Sequence, residues 1–241
     1  MRNAERILKD VRAALEQDRR IDLHHHPIDL GFRDGNMILA GEVDSVAAKK
    51  LALEYAAALA GEVGIDDQLL VKPGEMVEDV DLCNLVFEAL YSESAFNDIA
   101  LRTRVGGIDI AYREAPRAPT GAIEVLIEGG VVTLSGEVES YAHKALAGVL
   151  AWWRRGTRNV VNSLAVEHVM DDPDGEMTDA LRMVLEKDHL VHAAQIRAHC
   201  RDFTAILDGA VKNETEKGLA EADAWYLFGV TDVNNRLMVL E

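Results

Sequence analysis

The sequence predicts an α/β fold of the α+β sandwich type, built from three tandem copies of one module with the order helix–strand–strand–helix–strand. Three observations support this prediction. Residues 28–71 align without gaps with residues 123–166 and 196–239. Each block alternates apolar and polar residues where strands are expected, and an amphipathic helical pattern precedes each block. We therefore expect each module to form a three-stranded mixed sheet covered by two helices.

Turn and cap residues give the order of elements in the middle copy. Gly129–Gly130 permits the positive φ of a tight hairpin turn between the first two strands. Ser140 is a good N-cap for the second helix, and Gly156 suits the position after that helix, which we expect to run to about Arg155. The third copy departs from this pattern because Asp202–Phe203 replaces the turn glycines.

These repeats predict three domains, at residues 1–74, 75–170 and 171–241. The middle domain is longer because it contains an insert, residues 95–119, that alternates apolar and polar residues on both sides of Gly106–Gly107. That pattern predicts an extra β-hairpin with a two-residue turn. The hairpin either caps a neighbouring unit or mediates self-association into a homo-oligomer, or it lies on its own domain.

The composition limits the partners that this chain can have. Its formal net charge of −17 argues against nucleic acid, whose binding depends on Lys and Arg neutralising phosphates, and weakens attraction to anionic lipid. No run approaches the roughly 20 apolar residues of a transmembrane segment. The first ten residues read as an amphipathic helix without the apolar core of a secretory signal. We therefore expect a cytoplasmic protein, or a periplasmic one if a leader has been removed.

The repeated blocks resemble the BON domain family, named for bacterial osmotically inducible and nodulation proteins. The resemblance depends on Gly130–Val138 and Gly156–Asn162 in the middle copy and on Gly35–Val43 in the first. The third copy matches poorly at its hairpin but again at Gly229–Asn235. The tandem layout is similar to that of the OsmY-like triple-BON proteins of bacteria. The resemblance implies a non-enzymatic module linked to osmotic or envelope stress, with phospholipid binding or protein interaction as its role.

Aromatic and arginine side chains near the ends of the second helices are the best candidates for an interaction surface. Two adjacent tryptophans on a helix cannot both face one core, because neighbouring residues lie about 100° apart. Tryptophan beside arginine suits a lipid headgroup zone or a protein interface. In the alternative interpretation, Trp152 and Trp225 fill the core and their neighbours cover an adjoining unit. With two arginines of the insert, the candidates are Trp152, Trp153, Arg154, Arg155, Trp225, Tyr226, Arg102 and Arg104.

Other polar features have weaker functional interpretations. Adjacent His24–His26 can contact a metal ion, but a structural site needs more ligands, so we expect a solvated loop and no metal. Lys49, Lys144 and Lys217 recur at one helical position, and we expect them to extend along the apolar surface to solvent rather than bind a ligand. The acidic run Asp171–Glu176 is expected to be a linker into the third domain.

No catalytic or cofactor-binding motif is present: the sequence lacks Gly-x-Ser-x-Gly, the phosphate-binding Gly-x-x-x-x-Gly-Lys and His-Glu-x-x-His. We therefore expect a non-enzymatic protein without a cofactor. The leading interpretation is a stress-related interaction protein that binds a phospholipid surface or a protein partner. The alternative is a cytoplasmic sensor of a small ligand or ion.

Overall fold

A computed structural model of the protein describes residues 2–105, 108–113, 121–167 and 172–240. The chain divides into two compact units, residues 1–72 and 73–241. The first unit contains one copy of the repeated module, and the second contains two copies and the inserted hairpin.

The first unit is a three-stranded mixed sheet with two helices on one face. Its elements are α1 (Arg2–Gln17), β1 (Asp29–Arg33), β2 (Asn36–Val43), α2 (Val46–Ala60) and β3 (Ile65–Val71). Strand β2 is central, antiparallel to β1 and parallel to β3. Alternate β2 residues Met37, Leu39 and Val43 are buried against the helices, and Val11 and Leu15 of α1 are buried as well.

The second unit repeats this arrangement twice. The middle module comprises α3 (Asp79–Ser92), β4 (Ile99–Val105), β5 (Ile108–Arg113), β6 (Gly121–Glu128), β7 (Val131–Val138), α4 (Tyr141–Trp152), β8 (Asn159–Asn162) and β9 (Ala165–Val166). The third module comprises α5 (Pro173–Lys187), β10 (Ile196–Arg201), β11 (Thr204–Val211), α6 (Glu214–Tyr226) and β12 (Asp232–Val239). Strand pairing in both modules follows that of the first unit, so the predicted fold class is confirmed.

The inserted hairpin extends the sheet of its own module. Strand β4 pairs antiparallel with β5 and parallel with β6, which gives the order β5-β4-β6-β7-β8. Ile99 and Leu101 of β4 are fully buried, so the hairpin contributes to the core of the middle module. The hairpin therefore lies on its own domain, which was the alternative to capping a neighbouring unit or mediating self-association. Gly106–Gly107 lies outside the described residues.

Arg113 anchors the end of the hairpin. Its guanidinium donates to the backbone carbonyls of Ile99, Phe96 and Tyr91 and lies over the Tyr91 ring. Carbonyl oxygens from the last turn of α3 to the start of β4 thereby gain charged donors. Arg113 thus ties β5 to the chain segment between α3 and β4.

The hairpin turn of the third module keeps the geometry of the glycine turn although it contains no glycine. Asp202 and Phe203 have φ values of 48° and 61°, close to the 60° and 79° of Gly129 and Gly130. Asp tolerates this left-handed region, whereas Phe adopts it rarely and at a steric cost. The turn is therefore retained through pairing of the flanking strands β10 and β11.

Two predicted boundaries change in the structure. Helix α4 ends at Trp152 rather than near Arg155, because the Thr157 hydroxyl donates to the Ala151 carbonyl and the chain turns before Gly156. The acidic run is not a linker where it is described: Asp172 is the N-cap of α5, and its side chain accepts from the backbone N–H of Gly175. Acidic groups there also favour the positive end of the helix dipole. Residues 168–171 lie outside the described part.

The repeated lysine position is used differently in the first module. Lys49 is only 5% exposed and donates to the Asp67 carboxylate at 2.7 Å, so the expectation that it extends to solvent was wrong. The residue equivalent to Asp67 in the middle module is Asn162, whose Nδ2 donates to the carbonyl of Lys144 at 2.7 Å. A carboxylate has no hydrogen to donate, so Asp67 requires a cation where Asn162 requires none.

We predict that Asp67→Ala destabilises the first unit by about 3 kcal/mol, because it leaves the Lys49 ammonium buried without its counter-ion. The matched control is Asp66→Ala, on the other face of the same strand. Urea unfolding followed by circular dichroism detects the change. All three tryptophans lie in residues 73–241, so their fluorescence transition should not move. Equal loss in both variants would contradict the prediction.

Candidate interaction surface

Helix α4 of the middle module packs against α5 and α6 of the third. Three of the six predicted helix-end candidates, Trp152, Trp153 and Tyr226, lie in this contact. Trp152 stacks on Tyr226 across it, with ring centroids 5.8 Å apart and planes 13° from parallel. Trp225 is buried in the third module. Offset aromatic pairs at this distance add to the free energy of apolar burial. The stacked pair therefore stabilises the association of the two modules.

Trp153 forms a polar link in the same contact. Its indole Nε1–H donates to Oδ1 of Asp223 at 2.8 Å, and Asp223 is only 2% exposed. Burial raises the pKa of Asp223 to about 7, and the nearby Asp188 carboxylate acts in the same direction, whereas the Trp153 hydrogen bond opposes the rise. A titratable group is therefore enclosed between the two modules.

At the edges of this interface, a lysine of one module contacts an aromatic ring or a carboxylate of the other. Lys144 Nζ lies 4.2 Å from the centroid of the Phe228 ring, and the Tyr141 hydroxyl donates to the Phe228 carbonyl. Lys187 Nζ lies 2.6 Å from Oε1 of Glu93, which joins α5 to the segment after α3. These contacts fix α5 and the end of α6 against the middle module.

The two arginines that follow Trp153 differ in exposure. Arg154 is half-buried, and this burial lowers its pKa, an effect that Glu88 opposes. Arg155 is exposed, and its ion pair with Glu75, at 3.3 Å, is exposed on both sides. Such a surface pair contributes little to stability. That any of the helix-end residues contacts an external partner stays a prediction.

The remaining candidates lie on β4, away from the helix ends. Arg102 is exposed on the face of the sheet that no helix covers, with Glu124 and Ala111 beside it on the neighbouring strands. The side chain of Arg104 lies outside the described residues. Of the predicted candidates, Trp152, Trp153 and Tyr226 therefore lie in an internal contact, and Arg102 lies on an exposed sheet face.

This uncovered face, called here the open face of the middle sheet, carries one apolar row. Leu126 and Val161 flank Thr133 on the two neighbouring strands and are 40% and 41% exposed. Residues directly paired across strands share a face, so these three side chains form a row across β6, β7 and β8. Exposed Glu128 and Glu137 lie near two ends of the face.

The equivalent rows of the other modules differ. In the first module the flanking positions are Gly31 and Asp66, and in the third they are His199 and Asn234. Only the middle copy has apolar side chains at both flanking positions. Because all three modules share one fold and one register, this difference reflects the surface of the middle module rather than a requirement of its core.

A comparison with protein families identifies the repeated module. The family profile for the BON domain matches residues 3–73, 110–168 and 173–241. The chain belongs to the BON domain family. It contains three BON modules in tandem, as the sequence resemblance implied, and the third match includes the module whose turn glycines are replaced.

Comparisons with individual proteins add little to this assignment. No curated protein matches the chain. Two solved structures with similar chains carry the titles of a structural protein of the type III secretion system of Chlamydia trachomatis, CdsD, one of them its C-terminal domain. Both are 15% identical, with TM-scores of 0.26 and 0.25, and the alignments cover 98% of this chain and 98% and 92% of theirs. At these scores the likeness supports no inference about function.

BON domains are non-catalytic binding domains. Across the described ranges, no helix is both long and apolar enough to cross a membrane. No group of three or more His, Cys, Asp or Glu in the described part is arranged to hold a metal ion. The carboxylate of Asp22 instead accepts from the backbone of His24 and His25 and contacts the His25 ring.

The sequence interpretation missed Asp223, although a signal for it exists. Ala220 and Ala224 mark the buried face of α6, and Asp223 lies three residues after Ala220, on that same face. An acidic residue on a buried helical stripe requires a partner. That the partner is Trp153, 70 residues earlier, could not be inferred from spacing.

We predict that Trp152→Ala lowers the free energy of unfolding of residues 73–241 by about 2 kcal/mol, because the half-buried ring loses its stacking on Tyr226. Arg155→Ala, three residues further on, should change it by less than about 0.5 kcal/mol. Urea unfolding followed by fluorescence of the remaining tryptophans measures both. Equal effects would show that the stacked pair does not stabilise the module contact.

Proposed function

We propose that this chain is a non-enzymatic binding protein whose middle BON module holds a protein partner on the open face of its sheet. The observation that supports the proposal is the apolar row in which Leu126 and Val161 stay about two-fifths exposed. Partly exposed apolar side chains on a sheet face that no helix covers suit contact with another protein surface. The proposed role is in the osmotic or envelope stress response, as the family resemblance implies.

The inserted hairpin enlarges this face. Strands β4 and β5 add to the edge of the sheet at β6, so the open face of the middle module spans more strands than those of the other two modules. Arg102 and Glu124, on adjacent strands, supply a polar rim next to the apolar row. An apolar centre with a charged rim is the usual composition of a protein interface.

Charge favours a protein over a phospholipid surface. Residues 73–241 hold 29 of the 42 acidic residues but only 15 of the 25 basic ones, so this unit carries 14 of the 17 net negative charges. Anionic lipid attracts clusters of Lys and Arg and repels a surface of this sign. Glu124, Glu128 and Glu137 lie on the open face itself. A partner with a basic rim around an apolar centre would complement it.

We expect the double variant Leu126→Thr/Val161→Thr to bind its partner at least tenfold more weakly, because both apolar contacts are lost while β-propensity is retained. The partner is identified by affinity capture on the tagged chain from its native cells grown in high salt. The purified partner is then titrated by calorimetry. The matched control is His199→Thr/Asn234→Thr, which changes the same two positions of the third module.

The outcomes separate the candidate functions. Loss of binding in the middle-module variant but not in the control supports the proposal. Equal binding by both variants contradicts it. Co-flotation of the chain with vesicles containing phosphatidylglycerol, without a protein partner, would favour the phospholipid interpretation. A rise in melting temperature with one ion or metabolite would favour a sensor, since a ligand that prefers the folded state raises stability.

A further inference from the structure

We propose that the contact between the middle and third BON modules is a proton-dependent latch, closed when the Asp223 carboxyl is neutral and loosened when it ionises. This inference concerns the helical side of the modules and does not depend on the proposed function of the open face. It begins from the position of Asp223, which α6 of one module presents to Trp153 of the other.

The surroundings of Asp223 disfavour a negative charge. Oδ1 accepts one hydrogen bond, from Trp153, while the buried Oδ2 accepts none from the described residues, and the Asp188 carboxyl group lies within hydrogen-bonding reach of Asp223. A carboxylate with an unpaired buried oxygen loses the hydration that it would have in water. In the closed contact the neutral acid is therefore the favoured form.

The groups that face Asp223 do not compensate its charge. From the end of α4 comes the Trp153 indole, which has no charge. From the end of α5 comes the carboxylate of Asp188, which repels a second negative charge and accepts a hydrogen bond that only the neutral form of Asp223 can donate. Both effects raise the pKa of Asp223. On α6 itself, Tyr226 lies near enough that burial and Asp223 together raise the pKa of its phenol. The described surroundings thus contain a second acid but supply Asp223 with no cation.

The direction of the pH effect follows from proton linkage. The pKa of Asp223 is about 7 in the closed contact, against an ordinary value of 3.8 in water. The closed form therefore binds the proton more tightly than an opened, hydrated form. Closure is strongest at low pH, weakens as the pH rises from about 4 to about 7, and stays weak above that. Between pH 5 and pH 8 the equilibrium constant for closure of the contact should fall by about a hundredfold.

Loosening of the latch changes which surface the protein presents. In the closed form Trp152 of one module stacks on Tyr226 of the other, and Trp153 donates to Asp223. Separation would expose these rings as a surface rich in aromatic side chains. Of the helix-end residues that the sequence marks as interaction candidates, Trp152, Trp153 and Tyr226 would then be fully available only when Asp223 is ionised.

The tryptophan indole groups offer a direct measurement. The chain has three tryptophans, so a ¹⁵N-indole spectrum of the full-length protein has three resonances, and Trp153→Phe assigns one of them. We expect the Trp153 resonance to titrate with a midpoint near pH 7. Asp188→Asn should move the midpoint to lower pH, because it removes the neighbouring charge. Asp223→Asn keeps the shape and the acceptor oxygen but cannot ionise, so its Trp153 resonance should not titrate.

Hydrogen exchange tests whether ionisation opens the contact. Protection of α4 and α6 amides, corrected for intrinsic rates, should fall by about a hundredfold between pH 5 and pH 8 in the unmodified chain and should stay constant in Asp223→Asn. Circular dichroism verifies that each variant is folded. A Trp153 resonance that does not titrate overturns the proposal. So does a titration that leaves protection unchanged, because Asp223 would then be a buried acid without control of the contact.

Discussion

Each module depends on a close contact between a backbone carbonyl and one glycine of its central strand. At this position a Cβ atom would lie within 2.1 to 2.7 Å of a carbonyl oxygen at the start of the first strand, so no larger residue fits. The positions are Gly41, Gly136 and Gly209, all with positive φ. The contact fixes where the first strand begins to pair. It thereby sets which residues of all three strands face the helices and which face outward, because a shift of one residue would exchange the two faces.

The sequence predicts most of the helices and strands correctly because apolar periodicity and the shared glycine pattern are local signals. The boundaries that were wrong depend on single hydrogen bonds, such as that from Thr157 to the carbonyl of Ala151. The non-glycine turn at Phe203 shows the reverse case, in which paired strands impose a conformation that the local sequence disfavours.

The candidate surfaces could be predicted only in part, for a physical reason. In the alternative interpretation Trp152 and Trp225 fill the core and their neighbours cover an adjoining unit. Trp225 is buried, whereas Trp152 is half-buried and, like Trp153, itself contacts α6. The pairing of Trp153 with Asp223 joins residues 70 positions apart and depends on the packing angle of two modules, which no repeat pattern encodes. The substitution of Asp67 for the asparagine of the other copies is different, since that local change already implies a cation nearby.

The two surfaces of the middle BON module lie on opposite sides of one sheet, and this arrangement allows them to act separately. Helix α4 covers one face and carries the contact with the third module, while Leu126 and Val161 lie on the other face. A partner on the open face would touch neither Trp153 nor Asp223. A partner can therefore occupy the open face whether the latch is closed or open. If the two were coupled, the coupling would have to pass through the strands between them, and mutual changes in affinity would measure it.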